Sequence, residues 1–591
     1  MFSTLRSLCR PPECPTRAPA PFPRGPRPLV GSLLAGVVLL AIPGLSAPAA
    51  LPGAAELPGF PAALHAQDVE AVDEIFRDWD STRSPGCAVA VAEAGRPVLS
   101  RAYGMADLEH GIPNHPGTIF EAGSVSKQFA AAAVILLALD GEIDLDDDIR
   151  DYFPELPDYG TPVRIHHLLN HTSGLRDWGS VAAISGWGRS NRTHTHEHML
   201  QIAARQSALN YTPGDAYSYT NTGYNLLAVL VERVTGESFA EFSEARIFEP
   251  LGLSDTQWRD DYQRIVPGRS SAYSPSGNGY RINRPIEDVH GNGGLLTTVG
   301  DLLTWDRALR DGSLHGPEFT ELMHRQGVLN DGREIEYASA LVVGTRRGVP
   351  HISHTGATSG YRAYLGHYPD QELSVALLCN VTNANPGGLG GQVSDVFLGD
   401  LPEPDTPPTP QGVELDPDAL EARSGLYHHE TTGEPLRLSF DDEGLQLGNT
   451  PLIPMSSTEF RAGNQDRVLN FDGPPSGTRT PFAVTVDGYP DGRYLPTREV
   501  DPDAEALREY EGVYHSDDAE TTLELVVEDG ELVALRRPST RMTLSPLYPD
   551  AFQGGGLGLV RFHRGDDGGV VELGLRQGRV HDLRFQRMER R

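Results

Sequence analysis

Apolar positions divide the chain into stretches of different texture. The segment Val69-Glu-Ala-Val-Asp-Glu-Ile-Phe76 spaces its apolar side chains by helical turns and reads as an amphipathic helix. Two strand-like runs follow, residues 87–93 and 98–103, with a turn at Ala94-Gly95-Arg96-Pro97 between them. Residues 124–141 are Ala- and Leu-rich, apolar nearly all round, and end at a glycine; they predict a central, buried helix. Residues 222–234, closed by Gly236, and residues 298–310 predict two further helices. Strand patterns return at 361–368 and 373–379. Strands at both ends with helices between them predict an α+β domain over residues 68–400, its one sheet assembled from both termini.

The texture changes near residue 401. Leu401-Pro-Glu-Pro-Asp-Thr-Pro-Pro-Thr-Pro410 begins a Pro-rich, semi-rigid linker over 401–415. Beyond it short alternating strands dominate, and a repeat emerges. Gly425-Leu-Tyr-His428 matches Gly512-Val-Tyr-His515, 87 residues later. Leu420 and Leu507, Leu436 and Leu523, Gly444 and Gly530, Phe460 and Phe552, and Phe471 and Phe562 keep step. Two similar all-β, barrel-like units follow, 416–500 and 501–591. They carry no aromatic-rich or charged patch, and read as packing modules or a lid over a cleft.

The N-terminus carries arginines at 6, 10, 17, 24 and 27 before an apolar run over residues 29–42, then Ala47-Pro48-Ala49. Residues 1–49 thus read as a signal peptide or N-terminal anchor, and the protein as exported, periplasmic or extracellular. A membrane is a partner only if that segment stays uncleaved. The formal net charge of −32 argues against nucleic acid or an anionic membrane surface as partner. Oligomeric state is left open. Of four cysteines, only Cys87 and Cys379 lie beyond the leader, both in apolar strand-like runs. Two buried free thiols are the expectation, and a single cross-strand bridge the alternative.

One detail of composition points to chemistry. Lys127 is the only lysine in 591 residues, so the other 48 of the 49 basic residues are arginine. Arginine stays protonated, whereas a buried lysine can lose its proton and act as a base. Ser124 precedes Lys127 by three positions, on the same helical face. A second cluster, Tyr219-Thr220-Asn221, sits at a loop-to-helix junction. Its phenol can relay a proton, and its Asn amide can orient both Lys127 and a substrate carbonyl. A third, His354-Thr355-Gly356-Ala357, begins a strand, where Gly356 lets a substrate backbone approach the strand edge. His194-Thr-His196-Glu197-His198 looks metal-like but lacks a His-Glu-x-x-His frame, and reads as a structural or surface cluster opening a helix.

In this order and spacing the three clusters resemble the class C β-lactamase-like serine hydrolases. That superfamily includes low-molecular-weight penicillin-binding proteins, D,D-carboxypeptidases, D-aminopeptidases and esterases. The resemblance covers about residues 70–400 and rests on Ser124-x-x-Lys127, Tyr219-x-Asn221 and His354-Thr-Gly356. His171-Thr-Ser-Gly-Leu175 and Gly293-Gly-Leu-Leu296 support it as walls of the site. It implies a β-lactamase/D,D-peptidase-like catalytic domain, an antiparallel sheet flanked by helices plus an all-helical region. It also implies acyl transfer through a covalent intermediate on Ser124, with Lys127, Tyr219, Asn221 and His354 as catalytic partners. The amides of Ser124 and Ala357 would form the oxyanion hole, with Thr355 and Gly356 binding substrate. No metal or cofactor is implied. How Lys127 and Tyr219 share the base role is left open, and Tyr219 or His354 would protonate the leaving group.

One departure matters. β-Lactamases of this type carry Lys-Thr-Gly where this chain has His354-Thr-Gly, and that lysine binds the β-lactam carboxylate. The His form and the two β units resemble the D-aminopeptidase branch. D-amino-acid peptides or small esters are the expected substrates. Esterase, weak β-lactamase or D,D-carboxypeptidase activity is the alternative, and a non-catalytic sensor the reading of another class.

Overall fold

The structure, a computed structural model, describes residues 66–399, 401, 411–463, 467–474 and 479–589. The leader, residues 1–49, and most of the Pro-rich linker lie outside the described residues.

A six-stranded antiparallel sheet organises the catalytic domain. Its strands run, in spatial order, Val342–Arg346, Val349–Thr358, Tyr361–Tyr368, Leu373–Cys379, Cys87–Glu93 and Arg96–Tyr103. The N-terminal hairpin therefore completes a sheet begun by the domain's C-terminal strands, as the patterning predicted. Strand alternation separates two cores. Val89 and Val91 face the helices Ala66–Ile75 and Pro386–Leu398, whose Val72, Leu389 and Val393 share that cluster. Ala88, Ala90 and Ala92 face the opposite way, into the main core. Alanine on that face lets helices lie close, and the helix Val299–Asp311 packs there.

The central helix is Lys127–Leu139, and every residue from Lys127 to Leu137 is buried. A short 3₁₀ turn, Gly123–Ser126, leads into it, so Ser124 stands just before the α-helix. The other predicted helices appear as Asn221–Thr235, capped by left-handed Gly236, and Val299–Asp311, capped by Thr298.

Cys87 and Cys379 are disulfide-bonded, which overturns the expectation of free thiols. The reason is register. The strands Cys87–Glu93 and Leu373–Cys379 pair antiparallel with the two cysteines directly opposite, their Cα atoms 4.0 Å apart. Sequence separation conceals this, because the two residues lie 292 positions apart.

The C-terminal part forms two closed barrels of eight antiparallel strands, spanning Gly425–Pro496 and Gly512–Met588. The repeat seen in the sequence is structural. Tyr427 pairs with Leu436 across the first two strands of one barrel, and Tyr514 with Leu523 in the other. Each tyrosine donates its hydroxyl to the carbonyl four residues back, Arg423 and Tyr510. Both cores pack phenylalanines edge to face, Phe460 on Phe471 and Phe552 on Phe562. Among the described residues no helix is long and apolar enough to cross a membrane.

Replacing Cys87 and Cys379 together by alanine should destabilise the catalytic domain by about 2–4 kcal/mol. Thiol titration of the denatured, unreduced chain lacking residues 1–49, which carry Cys9 and Cys14, should find neither thiol free; two reactive thiols and unchanged denaturant midpoints would contradict the bridge.

Candidate active site

The site forms where the nucleophile turn meets the edge of strand Val349–Thr358. Two glycines make this contact possible. A Cβ on Gly356 would lie 2.0 Å from the Ala122 carbonyl oxygen, and one on Gly123 would lie 2.6 Å from the Ala357 nitrogen. Gly123 also has φ +52°, a conformation that disfavours L side chains. Gly356 thus admits the chain's own backbone, where a substrate backbone was expected. The result sets Thr355-Gly356-Ala357 against Ala122-Gly123-Ser124.

The turn is braced from behind. The strand Phe120–Glu121 pairs with Leu295–Thr297, part of the Gly293-Gly-Leu-Leu296 segment. The Leu295 amide donates to Ser126 Oγ. Glu121 is fully buried and accepts two hydrogen bonds from the Arg259 guanidinium, at 3.0 and 3.1 Å. Excellent geometry is what makes such a buried pair tolerable.

Lys127 is the centre of the site. Its Nζ lies 3.2 Å from Ser124 Oγ, 3.0 Å from Asn221 Oδ1 and 2.6 Å from the Asn292 carbonyl oxygen. All three neighbours are neutral. Burial, foremost, holds the amine well below its ordinary pKa, and the positive fields of Arg579 and Arg189 add to it; Asp177 opposes. A neutral amine has two protons and one lone pair. Donated to Asn221 and Asn292, the two protons leave the lone pair for the Ser124 hydroxyl.

Tyr219 packs beside this pair, with Nζ 4.8 Å from its ring centroid. Burial pushes its phenol up, and proximity to Ser124 and to Arg579 only partly counters this. The hydroxyl is buried and closes no hydrogen bond. At rest the amine is therefore poised to accept a proton and the phenol to keep one.

His354 is buried and pushed down to about 4, by burial first and by Lys127 second, so it is neutral at pH 7. Its Nε2 lies 3.0 Å from the Tyr337 hydroxyl and its Nδ1 2.6 Å from the Thr355 carbonyl. Both nitrogens are engaged, so of the two groups expected to protonate the leaving group, Tyr219 has the freer hydroxyl.

Several residues of the site were not foreseen. His171, expected as part of a wall, sets its ring centroid 4.0 Å from that of Tyr219, tilted by 39°, and accepts the Thr220 amide on Nδ1. Asp177 accepts the Asn221 amide at 2.8 Å, which fixes the start of the helix that carries it. Tyr337 and the Asn292 carbonyl have no local motif. The least foreseeable is Arg579.

Arg579 belongs to the second barrel. The strands Val570–Gln577 and Val580–Met588 form a hairpin whose tip is Gly578-Arg579. That tip enters the catalytic domain. The Arg579 guanidinium stands 4.6 Å over the Tyr219 ring, and its carbonyl accepts from the Asp177 amide and from Asn210 Nδ2. Around the tip the barrel is firmly docked. Arg176 pairs with Asp518 at 2.6 Å, and Arg536 donates to the carbonyls of Ala183 and Ile184. Val181 and Ile184, from the helix Trp178–Ser185, join the barrel's own core.

Comparison with known proteins places this geometry. Residues 71–392, more than half of the chain, match the Beta-lactamase family. The chain belongs to that family. Its members' relation to this chain extends past the catalytic domain. A D-aminopeptidase of Gluconobacter oxydans (strain 621H) is 27% identical over 486 residues, 77% of this chain and 86% of its own length. Penicillin-binding protein 4* of Bacillus subtilis (strain 168) is 28% identical over 310 residues, 49% of this chain and 67% of its own. The solved octameric penicillin-binding protein homologue from Pyrococcus abyssi aligns over 80% of this chain and 98% of its own, at 21% identity and TM-score 0.49. As a member of the Beta-lactamase family, the protein is a serine hydrolase.

The acid limb of acylation should follow deprotonation of Lys127. Arg579→Gln removes a positive field that disfavours the protonated amine, so Lys127 should titrate higher. The midpoint of the rising limb in a pH profile of ester-driven acylation should move to higher pH; an unmoved limb would place the Arg579 field elsewhere.

Proposed function

We propose that the protein is an exported amide hydrolase that removes small D-amino-acid units, acting through an acyl-enzyme on Ser124. One observation carries the reading: the only lysine of the chain is buried among neutral acceptors with Ser124 Oγ 3.2 Å from its amine. Ser124 attacks the carbonyl carbon and its proton passes to Lys127 Nζ. The developing oxyanion lies against the amides of Ser124 and Ala357. As the carbon–nitrogen bond breaks, the amine takes a proton from the Tyr219 phenol, which Lys127 restores. Water then attacks the ester by the same route and releases the acid.

The substrate class draws on two features. A D-aminopeptidase relative aligns over 77% of this chain, more than the catalytic domain alone. The hairpin tip with Arg579 stands over Tyr219, where it would shorten the reach of a substrate chain past the nucleophile. Export is supported by the arginine-rich leader with its apolar run, and by a disulfide that favours an oxidising compartment.

A second reading, ester or β-lactam hydrolysis, has its own support. Arg579 supplies a cation near the site where a neutral His354 replaces the usual lysine.

Intact-mass labelling with a fluorophosphonate tests the chemistry. Wild type should gain one adduct, Ser124→Ala none, and Lys127→Ala should react roughly 10²–10⁴-fold more slowly, the usual contribution of a general base. D-Aminoacyl amides should then be cleaved with higher kcat/KM than esters or nitrocefin. A reversed order would favour the second reading, and no adduct on folded wild type would end both.

A further inference from the structure

The metal-like sequence His194-Thr-His196-Glu197-His198 does not act as a unit. Its three rings part company. His194 places Nε2 2.9 Å from the Trp187 carbonyl. His198 turns Nδ1 back to the Thr195 amide, as a helix cap. His196 alone of the three comes together with Glu232 on the helix Asn221–Thr235 and His290 on the segment before Leu295–Thr297.

We propose that His196, Glu232 and His290 bind one divalent metal ion of the zinc type, at a site distinct from the acyl-transfer centre. One ligand atom from each of the three lies within 4.8 Å of the other two. Tetrahedral zinc with nitrogen and oxygen ligands wants them roughly 3.4 Å apart, from bonds of about 2.0–2.2 Å. A side-chain rotation covers that difference, and Glu232 and His196 are only half-buried, which gives an ion a way in. Two imidazoles and a carboxylate make an N/O donor set suited to zinc, with water as the fourth ligand.

The surroundings resemble those of a ligand set. Ligating histidines commonly give their second ring nitrogen to a carbonyl, which turns the other lone pair to the metal. His290 Nδ1 lies 2.8 Å from the Asp288 carbonyl, leaving Nε2 available. His196 Nε2 lies against the His290 backbone, 3.1 Å from its carbonyl oxygen and 3.2 Å from its nitrogen. With the proton given to the carbonyl, Nδ1 is the ligand. Glu232 is steadied by the Phe239 amide, 3.2 Å from Oε1. The rings of His196 and His290 are packed, centroids 4.3 Å apart.

The site is connected to Lys127 without touching it. Asn225 Nδ2 lies 2.7 Å from both the His290 carbonyl and Asn292 Oδ1, and the Asn292 carbonyl receives the Lys127 amine. The ion would therefore tie two helices to the segment that holds the base, and take no part in the acyl transfer itself.

Chelator-treated full-length protein titrated with Co²⁺ and Zn²⁺ tests this directly. One ion per chain should bind, with the visible absorption of tetrahedral Co²⁺ and a raised Tm. Glu232→Gln keeps an acceptor for the Phe239 amide, so it should fold. It and His196→Gln should weaken binding by more than the ~10–100-fold typical of losing an outer-shell partner. His198→Ala should leave binding unchanged. No stoichiometric binding, or binding that survives Glu232→Gln or depends on His198, would overturn the proposal. Because the readouts are spectral and stoichiometric, the outcome is independent of which substrate the enzyme cleaves.

Discussion

The site depends on burying a lysine amine without a carboxylate partner. A charged ammonium is expensive to bury alone, so an amine held among neutral oxygens gives up its proton. Every element near Lys127 serves that condition. The central helix is sealed along its first eleven residues, Lys127 to Leu137, by core packing on all sides. Asn221 and the Asn292 carbonyl hold the amine, and neither stabilises the cation as an aspartate would. The one acid that opposes the shift, Asp177, spends its oxygens on the amides of Asn221 and Ser180 and lies 3.8 Å from Arg579. What remains for the lone pair is Ser124.

The second barrel belongs to this electrostatic arrangement. Arg579 is the largest influence after burial in keeping Lys127 unprotonated, and it also contacts the ring of Tyr219. The barrel therefore reaches the candidate site with a charge as well as packing against the catalytic domain. Its grip on the catalytic domain is partly apolar, through Val181 and Ile184, and partly a buried ion pair, Arg176 with Asp518. The first barrel packs on the second, where Arg576 pairs with Glu434 and Leu426 packs with Tyr548, Ala551 and Leu559, and it reaches the catalytic domain where Arg333 stands 5.0 Å over the Tyr489 ring. Two similar repeats thus hold different positions, and it is the second that brings Arg579 to Tyr219.

Local signals were reliable where periodicity or a short motif was enough. The buried helix after Ser124, the strands Tyr361–Tyr368 and Leu373–Cys379, and the step between Tyr427 and Tyr514 all follow from spacing along the chain. Reading failed where the partner was remote. Cys87 and Cys379 looked like separate thiols because only sheet register sets them opposite each other. Gly356 looked like an opening for substrate because the Ala122 carbonyl that fills it comes from another element. His354 looked like a proton donor, yet Tyr337, in a loop with no motif, occupies its Nε2.

The sequence by itself determined which side chains are candidates for the chemistry and in what order they occur, because a serine three residues before a lone lysine is a local fact. It also determined the domain textures, because strand and helix periods are local. The tertiary structure alone decided protonation and access. Whether Lys127 is neutral depends on desolvation and on the field of Arg579, 452 positions later in the chain. Charge and burial act through space, and only the docking of a distant hairpin brings that field to the base.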